Sequence, residues 1–199
     1  MKNYEFHRFR KKNPLPIGKL PKEAYKFREP NSFLMVNVVA TLYAIPVLFL
    51  IIFLSKQRGQ SLMDGYQGTI GLILSLIMII PHELLHAICF PKTSVKHIYA
   101  APLSALFFVL CTDPITKRCF IFLSLLPNIV LGFLPFVIWL LLPASFTYSQ
   151  FILTFSAFNI LCGCGDYMNV VHALLQMPKG SMQQLSGMNS YWFMPEDIK

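Results

Sequence analysis

The chain has 199 residues, of which 55% are hydrophobic and only 13% are charged. Soluble domains have roughly 25% charged residues, so this composition excludes an ordinary water-soluble globule and predicts a multi-pass protein of the cell membrane. The net charge of +8 does not indicate nucleic-acid binding, because nine of the 17 lysines and arginines lie in residues 1–32. A basic block directly before an apolar run is typical of a cytoplasmic segment beside anionic lipid headgroups.

Four apolar runs follow this basic N-terminal segment, and each is long enough for the ~20 residues that cross a ~30 Å hydrocarbon core. They cover residues 33–54, 66–90, 119–143 and 149–175. A bilayer core accepts spanning backbone only as helix or closed barrel, and the runs lack barrel alternation. The sequence therefore predicts an all-α membrane fold with about four transmembrane helices over 33–175. Kinks are expected at Pro46, Pro81, Pro127 and Pro135.

The basic residues also predict the orientation of these helices. Segments 1–32, 91–118 and 176–199 together hold 15 of the 17 lysines and arginines. Only Lys56 and Arg58 fall in the other loops. Since cytoplasmic loops carry the excess of positive charge, the N-terminal segment and the C-terminal tail (176–199) are both predicted to be cytoplasmic.

A shorter apolar stretch covers residues 98–111, between the second and third predicted helices. Its length is short for a span, Pro102 interrupts it, and the sequence LFFVL at 106–110 favours extended structure. We expect a β-hairpin or re-entrant segment at about 95–111, on the cytoplasmic face. A short fifth helix is the alternative.

The second run contains the sequence HELLH, which places His82, Glu83 and His86 in an H-E-x-x-H pattern. Histidines at positions i and i+4 share one helix face and can both bind one zinc ion, with the glutamate placed as general base. Ionisable residues are costly inside a membrane and are rare there unless functional. The alternative is a polar cluster that pairs helices without metal.

A catalytic zinc site needs a third protein ligand. The acidic candidates after His86 are Asp113, Asp166 and tail residues, and only Asp166 lies in a predicted span. His82 and Asp166 lie roughly 12 Å and 13 Å from the cytoplasmic ends of their helices, if those helices rise 1.5 Å per residue. The depths match only if 98–111 does not span. Asp166 could instead pair helices or carry protons, and His97 and His172 are rival ligands.

Other small or polar residues surround Asp166 in the sequence NILCGCGDYMN. Gly163 and Gly165 would let another backbone or a substrate approach closely. Helical spacing predicts that Asn159 shares a face with Asp166. Asn159, and more weakly Asn128, could hydrogen-bond a substrate backbone or pair helices.

These motifs resemble a known family. HELLH in one membrane helix, with GDYMN in a later one, resembles the site-2 protease type of intramembrane zinc metalloprotease. The layout of residues 82–107, GDYMNV (165–170) and GMNSYWFMP (187–195) is still closer to small bacterial membrane proteins of the zincin-peptidase type. Site-2 proteases often have Asn-Pro-Asp-Gly around the aspartate, whereas Asp166 follows GCG and precedes Tyr167.

The resemblance implies Zn²⁺ bound by His82, His86 and Asp166, with Glu83 as the catalytic base. It implies a hairpin beside the active site, whose strand edge could hold an unwound substrate segment by β-addition. The expected activity is hydrolysis of membrane-protein or peptide substrates near the cytoplasmic face. A non-catalytic, metal-stabilised interaction or immunity-type protein is the main alternative, and a metal transporter ranks last. The sequence does not indicate an oligomeric state.

Overall fold

A computed structural model describes residues 3–9, 14–30, 32–101 and 106–197, and these are mostly helical with two small sheets. The helices are α1 (Phe33–Gln57), α2 (Gly65–Ile77), α3 (Ile79–Cys89), α4 (Lys117–Pro127), a π-helical segment (Asn128–Phe133), α5 (Leu134–Leu141), α6 (Ser149–Cys162) and α7 (Cys164–Gln176), with a 3₁₀ turn at Pro195–Asp197. The strands are β1 (Tyr4–Arg8), β2 (Tyr25–Lys26), β3 (Lys96–Ala101), β4 (Leu106–Leu110), β5 (Ile115–Thr116), β6 (Met182–Ser186) and β7 (Asn189–Phe193).

The chain divides into two compact units. The sheet unit comprises Met1–Glu29, Glu83–Ser124 and Asn169–Lys199. The helical unit comprises Pro30–His82 and Leu125–Met168. Helices α3, α4 and α7 each contribute residues to both units.

The hairpin predicted at about 95–111 is present in the sheet unit as the antiparallel pair β3–β4, in which Ile98 lies opposite Val109. Its turn, residues 102–105 with Pro102, lies outside the described residues. The parallel strand β1 pairs with the other side of β3, which gives the order β1-β3-β4. Ile98 is 1% exposed within the core of this unit, so the alternation of the strand fixes which side chains face away from the core.

The all-α prediction was too narrow, because five further strands lie in the segments predicted as a basic N-terminus, a loop and a polar tail. Four of these strands form the second sheet, in the order β2-β7-β6-β5. The β6–β7 hairpin turns through Gly187, whose φ is +62°, and Ser186 pairs with Asn189. A two-residue Gly-X loop is a recognised hairpin signal, but these strands are short and polar, so hydropathy gave no indication of them.

The helical unit is built on close packing of α2 against α6. A Cβ added at Gly71 would lie 2.9 Å from the carbonyl oxygen of Phe151, so only glycine permits this approach. Ser75 continues the small-residue face of α2, and its hydroxyl donates to the carbonyl of Gly71 or Phe155. Small residues at such contacts are typical of helices that pack in membranes.

Among the residues that the structure describes, two helices are long and apolar enough to cross a membrane, Leu34–Gln57 and Lys117–Leu141. The pairs α2–α3 and α6–α7 pass the same test only when each bent pair is taken as one span. The first pair bends by 41° at Met78, close to the kink predicted at Pro81. The second bends by 47° at Gly163, where no kink was predicted. The uninterrupted helix face expected to join Asn159 to Asp166 is therefore wrong, since Gly163 ends α6 between them.

Candidate metal centre

Helix α3 carries the two histidines and the glutamate of the H-E-x-x-H motif. Pro81 occupies its first turn, where a missing backbone N–H costs no helical hydrogen bond. The N–H of His82 bonds the carbonyl of Met78 at 2.8 Å, which ties the motif to the bend before it. His82 and His86 are one turn apart on the same face, and each offers a ring nitrogen within 4.8 Å of the other.

Asp166 lies in the first turn of α7, within the helical unit that also contains His82. Its Oδ2 is 3.1 Å from Nε2 of His82, and the two side chains are only 11% and 13% exposed. The positive end of the α7 dipole favours a carboxylate at this position. The contact joins the two residues that the sequence predicted at similar distances from the ends of their helices.

Asn128 lies behind Asp166 in the helical unit. Its side chain is fully buried, and its Nδ2 donates to Oδ2 of Asp166 at 2.7 Å. The hydroxyl of Tyr167 lies 3.1 Å from Oδ1 of Asn128 and 2.8 Å from the carbonyl of Ile160, and its single proton can serve either acceptor. Asn128 therefore orients the aspartate, although the sequence suggested a weak substrate-binding role for it. Partners of this kind set the geometry of metal-binding carboxylates.

Gly163 makes the room that Asn128 needs. A Cβ added at Gly163 would lie 1.6 Å from Oδ1 of Asn128, well inside any permitted contact. A Cβ added at Gly165 would meet nothing within 4 Å. Of the two glycines predicted to permit close approach, only Gly163 is required by its surroundings.

His86 is held by a backbone carbonyl of the sheet unit. Its Nδ1 lies 2.7 Å from the oxygen of Leu123. In an α-helix that oxygen would accept the N–H of residue 127, but residue 127 is proline and has no N–H to give. The carbonyl therefore accepts the Nδ1–H of His86, which places the lone pair of the imidazole on Nε2. Metal-binding histidines are commonly oriented in this way.

We predict that Pro127→Ala weakens metal binding at His86 by about tenfold, the lower end of the effect of losing such a partner. The new N–H of residue 127 would compete with His86 for the carbonyl of Leu123. The measurement is a competition titration of zinc against a coloured chelator, in detergent. Pro135→Ala removes another proline of the same helical stretch and is expected to leave the zinc affinity unchanged. Equal affinities for the two variants would contradict this role of Pro127.

Glu83 contacts the hairpin of the sheet unit. Its Oε2 accepts the N–H of Val109 at 3.2 Å. Val109 belongs to β4, which lies at one edge of its sheet among the described residues. The Val109 N–H that donates to Glu83 is therefore not used in pairing with β3. Glu83 lies at the edge of β4 that is opposite β3.

The remaining candidates lie elsewhere. Asn159 donates to the carbonyl of Phe155 at 2.8 Å and approaches Oγ of Ser75 at 3.3 Å, so its amide joins α6 to α2. The ring of His172 packs against Phe27, with centroids 6.4 Å apart. His97 lies 3.1 Å from the carboxylate of Glu5, on the sheet.

A family model described as "Putative zincin peptidase" matches residues 75–182, which is more than half of the chain. The chain belongs to this zincin peptidase family. Membership suggests a metallopeptidase, and the zincin name implies zinc. The matched range contains the H-E-x-x-H motif, both hairpin strands and Asp166. Comparison with curated proteins and with solved structures gave no match.

The donor atoms of the candidate site suit zinc. An imidazole nitrogen of His82 and a carboxylate oxygen of Asp166 meet within the helical unit, and both are donor types that catalytic zinc sites combine with a further protein ligand and a position for water or substrate. The contact of 3.1 Å between His82 and Asp166 is close to the roughly 3.4 Å that separates two ligands of a tetrahedral zinc ion. Asn128 behind Asp166 and the Leu123 carbonyl behind His86 provide the outer support that such ligands require.

Three groups that support the candidate site were not found from the sequence: the Leu123 carbonyl, the Tyr167 hydroxyl and the Val109 N–H. A signal existed for the first, because a proline inside a predicted helix always leaves a carbonyl without its usual donor four residues earlier. Tyr167 directly follows Asp166, but adjacency gave no reason to place its hydroxyl on Asn128. The Val109 N–H is backbone, and only the register of the hairpin identifies it.

Proposed function

We propose that this chain is a zinc-dependent intramembrane endopeptidase of the site-2 protease type. His82, His86 and Asp166 would bind the zinc ion, and Glu83 would act as the general base. The observation that carries the proposal is the contact between His82 Nε2 and Asp166 Oδ2, at 3.1 Å. It brings a histidine of the H-E-x-x-H motif onto the acidic residue of a second apolar helix pair, 84 residues away in sequence.

The chemistry divides between the ion and the protein. Zinc, when bound, supplies a Lewis acid that acidifies water and polarises a carbonyl. Glu83 accepts the proton of the attacking water and returns it to the leaving amine, as a general base and then a general acid. The hydrogen bond from the Val109 N–H holds the Glu83 carboxylate at the edge of the hairpin. The amide of Asn128 holds the Asp166 carboxylate in its orientation.

We propose that the substrate binds at the edge of β4. A helical substrate must unwind before hydrolysis, because its peptide carbonyls are otherwise hydrogen-bonded within the helix. Val109 shows its N–H at the edge opposite β3, and Phe107 has the same orientation because strand residues alternate. Because the Val109 N–H is held by Glu83, an unwound segment would pair with Phe107 at this edge and pass beside Glu83, as in other cases of β-addition.

The membrane placement belongs to the same proposal. Helix α1 leaves large apolar side chains exposed, including Leu34 at 72%, Phe49 at 67% and Phe53 at 58%, and lipid would cover them. The two long helices and two bent pairs would then make four spans within residues 33–175. Residues 1–32 and 176–199 would be cytoplasmic, and the substrates would be membrane proteins or peptides cut near that face.

We predict that Glu83→Gln abolishes proteolysis and retains zinc. Glutamine keeps the shape of the side chain and an oxygen for the Val109 N–H, but it cannot take up a proton at neutral pH. The measurement combines the zinc content of the purified protein with cleavage of membrane proteins co-reconstituted in liposomes, read by mass spectrometry of new termini. Glu23→Gln, which alters an exposed carboxylate of the N-terminal segment, should cleave like the wild type.

The same experiment distinguishes the non-catalytic alternative. A metal-stabilised interaction or immunity-type protein would tolerate Glu83→Gln without change, while His82→Ala would weaken its folding or partner binding. Identical cleavage products from the wild type and Glu83→Gln would remove the peptidase proposal.

A further inference from the structure

A second group of potential metal ligands lies on the first sheet, within the sheet unit. Glu5 and His7 are alternate residues of β1, so they share one face of the strand. Glu5 lies directly opposite His97 of the parallel strand β3. The pairing therefore brings Glu5, His7 and His97 together on one face of the sheet, and one ligand atom of each lies within 4.8 Å of the other two.

The three ligand atoms form a nearly equilateral triangle. Oε2 of Glu5 is 3.1 Å from Nδ1 of His97 and 3.5 Å from Nε2 of His7. The two histidine nitrogens are 3.3 Å apart. Zinc–nitrogen and zinc–oxygen bonds of about 2.0–2.2 Å in tetrahedral geometry separate neighbouring ligands by roughly 3.4 Å. The triangle therefore has the dimensions of one face of a tetrahedral zinc site.

Hydrogen bonds alone do not account for this triangle. A carboxylate only accepts, so each histidine must direct an N–H at Glu5 to bond it. The nitrogens of His7 and His97 would then face each other as two donors. If one of these two nitrogens instead accepts a hydrogen bond from the other, it carries no proton of its own and cannot donate to Glu5. At most two of the three contacts are hydrogen bonds in any protonation state, whereas a cation at the centre would satisfy all three lone pairs.

The neighbouring side chains favour a fixed site. The ring of His7 stacks on Tyr99, with centroids 4.9 Å apart and planes inclined by 22°, which limits rotation of the imidazole. The side chain of His97 is 17% exposed, while those of His7 and Glu5 are 37% and 52% exposed. A cation could therefore enter from solvent, and water could complete its coordination.

We propose that Glu5, His7 and His97 bind a second divalent transition-metal ion, with zinc the expected occupant. Two histidines and a glutamate are a recognised zinc donor set. Two of these ligands, Glu5 and His7, lie outside the residues that the family model matches, so the site is a property of this chain's N-terminal strand. The ion clamps β1 to β3, whose partner β4 supplies the Val109 N–H to Glu83. Metal supply would thereby set how firmly the hairpin is held.

The test counts zinc in the full-length protein, purified in detergent and equilibrated with zinc ions before unbound metal is removed. His7→Phe keeps a ring to stack on Tyr99 but removes both nitrogens, and Glu5→Gln keeps the shape of the side chain. Each is expected to lower the zinc-to-protein ratio by one. Phe6→Ala changes an exposed residue between them on β1 and should leave the ratio unchanged.

A second readout separates metal binding from folding. Zinc should slow amide hydrogen exchange in β1 of the wild type, and it should have no such effect in His7→Phe. The loss of one ion should also occur in a His82→Ala background, so the result does not depend on the proposed peptidase site. Equal zinc ratios in wild type, His7→Phe and Glu5→Gln would overturn the second site.

Discussion

Asp166→Asn is expected to weaken zinc binding at His82 and His86 by more than about 100-fold, beyond the effect of losing an outer-shell partner. Asparagine keeps the size of the side chain and an oxygen that can accept the 2.7 Å bond from Asn128. The substitution removes the negative charge of the Asp166 carboxylate, whose Oδ2 lies 3.1 Å from Nε2 of His82. A zinc ion bound there would lose that charged ligand. The fold should therefore persist while the third ligand is lost, and proteolysis should fall with the zinc.

The measurement is competition with a chelator in the His7→Phe background, which removes the ligand atom proposed at the second site. Asp64→Asn is the matched control. Asp64 lies at the N-cap of α2 in the helical unit, where its side chain makes no capping hydrogen bond. This control should bind zinc as tightly as its parent. Similar affinities for Asp166→Asn and Asp64→Asn would exclude Asp166 as a ligand.

Gly163→Ala is expected to have the second large effect. Its methyl group would occupy the position of the Asn128 amide, since the distance to Oδ1 would be 1.6 Å. Asn128 must then leave a fully buried site in which it bonds Asp166 and Tyr167. Buried polar groups that lose their partners cost about 1–3 kcal/mol each, so we expect destabilisation of about 2 kcal/mol or more. Zinc affinity should fall by about 10–100-fold as Asp166 loses its support.

Gly165→Ala is the control, because the same methyl group two residues later meets open space. Alanine is the better helix former by up to about 1 kcal/mol, so this variant should be as stable as the wild type or more stable. Thermal unfolding in detergent and the chelator titration give the two quantities. If Gly163→Ala keeps both the stability and the zinc affinity of Gly165→Ala, the arrangement of Asn128 behind Asp166 is wrong.

The approach of His82 to Asp166 could be predicted because two features of the sequence indicated the same chain topology, in which residues 98–111 do not span. Equal depths required that residues 98–111 not cross the membrane, and the short apolar length with LFFVL favoured a hairpin. The structure has both the hairpin and the 3.1 Å contact. Length, charge and helical rise were sufficient here, since each acts over many residues and tolerates local errors.

The groups behind the ligands could not be predicted in the same way. The close approach of the Asn128 side chain to Gly163 joins residues that are 35 positions apart in the chain. No local pattern in GCGDYMN specifies that contact. The pairing of β1 with β3 likewise joins residues more than 90 positions apart, Tyr4 with Lys96 at its start. Strand β1 is too polar for hydropathy to suggest the pairing.

The most direct test of the central claim is an anomalous difference map recorded at the zinc absorption edge from crystals of the purified wild-type protein. We predict a zinc peak bound by Nε2 of His82, Nε2 of His86 and a carboxylate oxygen of Asp166, at about 2.0–2.2 Å from each. The peak should be absent from crystals of Asp166→Asn grown at limiting zinc. A map from zinc-loaded protein with no peak between these three side chains would contradict their assignment as zinc ligands.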